Sequence, residues 1–278
     1  MASWRRTGRA RTRSQRSETV ILTLILAALL AAQAPQQKFD PHDLSGHWNR
    51  TSRFQTFSNV FSGQGNAQGT AEAPFTAAGK AKFEANKPGY GPRAVPPAIG
   101  NDPMGTCDPL GIPRLLNTEV ITPHQTMEIV QIPGRMLQFF EWHHDWREVF
   151  IDRQLPAADT VEPTWNGTSV GKWEGDVFVV DSIGFDDRTW LDKFGHPHSE
   201  NMKLQERYRR VDADTLELTM TLTDPAMYSR PWVSDTKLFR LDRAKSSRWD
   251  EQIYCVPTEE YKFNQRVRDE AGGRGNTK

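Results

Sequence analysis

The residues in this chain best suited to chemistry crowd into one segment, 184–201, which reads GFDDRTWLDKFGHPHSEN. His196 and His198 stand two apart around Pro197, so on an extended backbone both rings leave from the same side. That spacing suits a pair of metal ligands, or imidazoles that move a proton near neutral pH. A cupin-type metal set wants a glutamate four or five residues past the second histidine, and Glu200 and Glu206 miss that spacing. No metal and no cofactor are therefore assigned, although His47, His143 or His144 would be the natural third ligand. In the proton-transfer reading Asp187 orients a histidine and Arg188 holds an anionic or hydroxylated ligand. The same Asp186, Asp187, Arg188 and Asp192 equally suit a loop that merely ties itself together.

A second concentration lies at 139–146, FFEWHHDW. Alternation puts Phe140 and Trp142 on one face and Phe139, Glu141 and His143 on the other, which a half-buried hairpin also explains. If this hairpin end borders the 184–201 loop, Phe140, Trp142, Trp146 and Trp190 make an aromatic-walled mouth with His143 at its rim, the composition of a small-molecule pocket. Other active-site signatures are absent: there is no G-x-S-x-G, no H-E-x-x-H and no phosphate-cradling glycine loop.

The elements that must position these residues are mostly strands. Leu216, Leu218, Met220 and Leu222 alternate with polar residues over 215–223, a period of two with one buried face. Similar runs occupy 126–132, 136–142, 146–151, 169–173, 177–182, 203–211, 233–241 and 249–255, most joined by turn residues such as Pro133-Gly134 and Glu174-Gly175-Asp176. Eight or so strands in succession predict an antiparallel, up-and-down β-barrel-like core without exposed edges. Thr76 reads as the N-cap of one short helix over 77–86, and residues 55–74, rich in Gly, Ser, Asn and Gln, read as a mobile loop. The long segment 184–201 interrupts otherwise tight connections, as binding and catalytic loops do.

Lys plus Arg and Asp plus Glu number 35 each in 278 residues, which gives no field for nucleic acid. Charge gathers only at the N-terminus, where residues 1–16 hold arginine and no acid ahead of the apolar run 20–32. That order predicts a secretory signal over 1–34, too short in its apolar part for a permanent span, and a periplasmic or secreted mature protein. The two cysteines, Cys107 and Cys255, are expected to pair in that oxidising setting.

GPRAVPP at 91–97, NDPMGTCDP at 101–109, GKWEGD at 171–176, GFDDRTWLD at 184–192 and GHPHSE at 195–200 together resemble an uncharacterised family of exported bacterial proteins. The resemblance runs from about residue 40 to 268; it implies export and a shared fold, and no activity. A looser similarity is to lipocalin-like (calycin) proteins, in which a Gly-x-Trp of the first strand packs beneath a late arginine; Gly46-His47-Trp48 fits, with Arg240 as the late partner.

The organisation expected is a signal peptide at 1–34, an irregular segment with a short helix at 35–118, the barrel at 119–267 and a disordered tail at 268–278. The function expected is binding of a small, partly apolar organic ligand. A His/Asp acid–base enzyme (lyase, isomerase or hydrolase) and a structural or partner-binding protein are the alternatives.

Overall fold

Strands with one apolar face, joined by short turns, pair antiparallel until the two edges of the sheet meet. The computed structural model describes residues 38–51, 57–58, 73–96, 99–117, 126–244 and 254–263. The chain divides into two units, residues 1–38 and 39–278. Only Lys38 of the first is described, and the architecture below is that of the second. The expected signal at 1–34, the tail at 268–278, most of the 55–74 loop and residues 249–253 of the expected last strand lie outside the described residues.

Ten strands form one sheet: β1 (Gly46–Arg50), β2 (Thr126–Ile132), β3 (Arg135–Phe140), β4 (Trp146–Ile151), β5 (Thr168–Glu174), β6 (Val177–Ile183), β7 (Lys203–Arg210), β8 (Thr215–Thr223), β9 (Trp232–Val233) and β10 (Lys237–Leu241). They follow one another around the sheet, β1 pairs with β10, and β10 pairs back onto β8, so nine strands close a barrel. A ring of strands that strictly alternate in direction closes only with an even number, so nine need a parallel pair. That pair is β4–β5. Parallel neighbours need a crossover of a dozen or more residues, and residues 152–167 supply it.

The strand expected over 233–241 is two pieces that share one edge of β8. Between them the Ser234 hydroxyl accepts the Met220 N–H at 2.8 Å, taking a place the ladder would give to a carbonyl. β1 is a full member of the barrel, although more than seventy residues of chain separate it from β2. Among the described residues three α-helical pieces accompany the sheet: α1 (Ala77–Ala85), α2 (Arg114–Asn117) and α3 (Pro257–Phe263). Thr76 caps α1 as expected, its side chain accepting from Gly79 N. Tyr254 and Cys255 lead into α3 and belong to no strand. Cys107 and Cys255 are bonded, with Cα atoms 5.4 Å apart.

Inward residues stack in register layers, such as Trp173, Phe178, Tyr208, Leu218 and Lys237 on successive strands. Two buried charges stand among them. Arg147 of β4 and Glu206 of β7 face each other across the barrel, with Arg147 Nη1 2.8 Å from Glu206 Oε1. Gln138 accepts from Arg147 Nε, and the Tyr208 hydroxyl donates to Glu206 Oε2, each at 2.5 Å. Every member has partners, as buried ions require. Burial alone would lower the Arg147 pKa, but Glu206 outweighs it and raises it.

One end of the barrel carries the expected Gly-x-Trp arrangement. Gly46 adopts φ 145°, a backbone conformation that side-chain-bearing residues rarely take, so the position favours glycine. Trp48 Nε1 donates to Leu44 O. The arginine over the indole is Arg210 of β7, 5.5 Å from the ring, and not Arg240. Alternation decides between them: Arg240 follows inward Phe239 and faces out, whereas Arg210 continues the inward series Leu204, Glu206, Tyr208.

Candidate functional site

Strand direction sorts the connections. Tight turns at 133–134, 175–176 and 211–214 lie at the Trp48 end, while the connections β1–β2, β3–β4, β6–β7 and β8–β10 gather at the other end, the mouth. The histidine loop, α1 and α2 are therefore brought together by topology rather than by nearness in sequence.

Asp192 organises the loop. Its carboxylate accepts from Phe194 N at 2.9 Å, from Phe57 N at 2.8 Å and from His196 Nδ1 at 2.8–2.9 Å, and it is fully buried. Burial works to raise this carboxyl, but His196 and the N–H donors outweigh it and hold the group below the ordinary aspartate range. The carboxylate that orients His196 is thus Asp192, four residues back in one turn of loop, and not Asp187. Asp187 instead pairs with Lys82 of α1 at 2.8 Å.

Around His196 stands an aromatic cluster drawn from four separate places in the chain. Phe83 of α1 stacks on the imidazole at 4.8 Å, Trp232 of β9 lies 5.0 Å away, and Phe75 stacks at 5.9 Å. Tyr228 packs on Trp232 at 5.0 Å and donates to Pro197 O, and Phe57 meets Trp232 at 4.8 Å. Phe75 and Phe83 are half-buried, so the cluster reaches the surface along α1.

His198 belongs to different surroundings. Its Nδ1 donates to Ser199 O at 3.2 Å and its Nε2 accepts from the Thr189 hydroxyl at 2.6 Å, a neutral imidazole with both nitrogens engaged. Burial pushes its pKa down, in keeping with that tautomer. The backbone around Pro197 is not a strand, so the expected same-side pairing of the rings does not arise. Among the described residues no three His, Cys, Asp or Glu side chains cluster closely enough to hold a metal ion.

The remaining sequence candidates are dispersed. Arg188 is exposed, paired with Asp186 and laid over Trp165 at 4.3 Å. Trp190 is buried in the loop with Arg114 5.6 Å from its ring. Phe140 points into the barrel core, Trp142 packs against that core, and Trp146 is exposed on the outside. They form no common wall. His143 accepts the Cys255 N–H at 3.0 Å and His144 stacks on Tyr254 at 4.6 Å, so this hairpin end receives the disulfide-bonded C-terminal segment.

Two groups beside the Asp192–His196 pair come from residues that stand out in no sequence motif. Lys237 opens β10 with its side chain fully buried against Asp235 at 2.5 Å. Burial first, then Arg50, lowers its pKa to about 8, against the pull of Asp235 and Asp192. Asn117 of α2 donates to Leu191 O at 3.2 Å, beside Asp192, and Arg50 donates to Leu116 O at 3.3 Å. Two buried polar atoms here, Asn117 Oδ1 and Trp232 Nε1, have no hydrogen-bond partner among the described residues. Lys237 had a legible signal, since it shares the inward parity of Phe239 and Leu241.

Comparison with protein-family models, with curated proteins and with solved structures finds no match for this chain.

Proposed function

We propose that this is an exported protein that binds a small, partly apolar organic molecule at the mouth of its barrel, against the aromatic cluster that surrounds His196. The carrying observation is the pair of unsatisfied buried atoms, Trp232 Nε1 and Asn117 Oδ1, in a region walled by aromatic rings. A buried polar atom left without a partner costs about 1–3 kcal/mol, which a ligand offering a hydrogen bond would offset. Apolar walls with a few convergent polar groups are the usual build of such sites. The disulfide and the basic, then apolar, N-terminal sequence support export.

A library of small aromatic and alicyclic compounds, read by melting temperature and tryptophan fluorescence, tests the reading. Ligands that raise the melting temperature should quench fluorescence, and Trp232→Phe should remove most of that quenching. Quenching at full amplitude in the variant would place the ligand elsewhere and sink the proposal.

The second reading is a proton-transfer enzyme, and the Asp192–His196 pair favours it. A carboxylate on Nδ1 fixes the tautomer and the orientation of the ring, as in imidazoles that move protons. Turnover of a bound ligand, abolished in His196→Gln with binding retained, would select this reading over simple binding.

A further inference from the structure

Arg153 and Leu155 of the crossover 152–167 form one wall of a groove of about 500 Å³ on the outer face of β5–β8. That is a size at which small-molecule sites are built. The floor follows from the register. Phe150 pairs with Val170, Val170 with Asp181, Asp181 with Gln205 and Gln205 with Thr221, so one outward row crosses five strands. The row is apolar on β4 and β5, then offers a carboxylate, an amide and a hydroxyl on β6, β7 and β8. Gln205 Nε2 donates to Asp181 Oδ1 at 2.9 Å. A carboxylate can accept about four hydrogen bonds, so Asp181 keeps acceptor capacity for a ligand.

Cations frame this row. The Arg153 guanidinium lies over the Phe150 ring, 4.4 Å from its centre, at the apolar end. Lys172 and Lys203 each stand two residues along from a partner of Asp181, Val170 and Gln205 respectively, and are therefore its diagonal neighbours on either side. Both lysines line the groove. Glu174 pairs with Lys172 at 3.1 Å; among the described residues neither Arg153 nor Lys203 is held in an ion pair.

A matching ligand brings an anion to Arg153 and hydrogen-bond donors to Asp181. An ammonium donor would reach Asp181 only by facing the three surrounding cations, whereas a hydroxyl meets it without that repulsion. A carboxylate fits the guanidinium fork, and its single charge suits a place that already holds Asp181 better than the heavier charge of a phosphate. β6, β7 and β8 have neighbours on both sides, so their main-chain groups are taken up in the sheet and offer nothing to an added peptide strand.

We propose that this groove binds a sugar acid, with its carboxylate on Arg153, its hydroxyls on Asp181, Gln205 and Thr221, and its C–H face against Val170. The groove shares no residue with the aromatic cluster at the mouth, and the assignment does not depend on the reading proposed above.

Calorimetric titration of the full chain compares galacturonate and its linear trimer with their methyl esters, which keep the other hydroxyls and lose the charge. Cyclohexanecarboxylate, which keeps the charge and lacks the hydroxyls, completes the set. An acid should bind at least roughly tenfold more tightly than its ester and than cyclohexanecarboxylate. Arg153 is exposed, so Arg153→Gln leaves the fold intact, and it should bring the acid down to the level of the ester. Asp181→Ala should weaken the trimer at least roughly threefold. A trimer at least roughly tenfold tighter than the monomer marks the ligand as a unit of an acidic polysaccharide, and equal affinities mark a free sugar acid; either supports the assignment. Equal binding of acid and ester, equal binding of galacturonate and cyclohexanecarboxylate, an acid affinity unchanged by Arg153→Gln, or no binding of either acid overturns it.

Discussion

Replacing Arg147 by methionine removes the cation from the barrel centre and leaves Glu206 in a place water does not reach. Both side chains are essentially buried, at 2% and 0% exposure, so solvent does not screen the loss. Breaking a buried pair from one side costs about 3–5 kcal/mol. In the variant, the least costly relaxation for a stranded carboxylate is to take up a proton. For a carboxyl of ordinary pKa about 4.3, neutralisation at about pH 7 costs about 3.7 kcal/mol, and at about pH 5 only about 1 kcal/mol. The Arg147→Met penalty, measured against unmodified protein at the same pH, should therefore shrink by about 2–3 kcal/mol on going from about pH 7 to about pH 5. Urea unfolding reads this as a midpoint drop of about a molar or more near neutrality that largely recovers in acid. The double variant Arg147→Met/Glu206→Leu should regain much of the loss because it strands no charge; Gln138 Nε2 still donates to the Tyr208 hydroxyl at 3.0 Å, and the part not regained is the cost of Gln138 Oε1 and the Tyr208 O–H, which lose their partners. A single-variant penalty below about 1 kcal/mol, or one that does not change with pH, would refute the reasoning.

Gly79→Ala raises the helix propensity of α1 by about 1 kcal/mol, yet its Cβ would lie 2.0 Å from Met227 O, where α1 docks on the β8–β10 connection. Overpacking of about 1–3 kcal/mol should win, and a raised melting temperature for this variant would contradict the docking geometry. Burial holds the folded-state pKa values of His143 and His198 below the ordinary histidine value of about 6.5, so the unfolded chain binds more protons below that pH. Stability is therefore complete above about pH 6.5 and declines as pH falls toward about 5; a flat urea midpoint over that range would count against both buried imidazoles, and His198→Gln should flatten part of the slope.

Much of the barrel was legible because period-two alternation reports directly which strand face is buried. The expected bounds 126–132, 146–151 and 215–223 coincide with β2, β4 and β8. The 233–241 run misled for a local reason: a serine hydroxyl can replace a ladder acceptor, which alternation does not register. The parallel β4–β5 pair was hidden because a crossover and a long hairpin loop look alike in sequence, and only ring closure with an odd strand count tells them apart. Nor does alternation say that β1 will lie between β10 and β2, since that pairing joins segments far apart in the chain.

The site was less legible, and for a different reason. Neighbours in the chain point to the 184–201 loop, with Asp187 as the partner of its histidines and Arg188 as the holder of a ligand. Loop geometry instead turns the chain so that Asp192 meets His196, and the strand ends bring Phe57, Phe83, Trp232 and Lys237 to them from four other places. One signal did cross that distance. Arg147, Glu206 and Lys237 each occupy an inward position in a strand whose other inward residues are largely apolar, and a buried charge cannot stand alone. Opposite charges at inward positions of different strands must therefore find each other inside the barrel, as Arg147 and Glu206 do. Lys237 meets the same requirement locally, paired at 2.5 Å with Asp235 of the β9–β10 link.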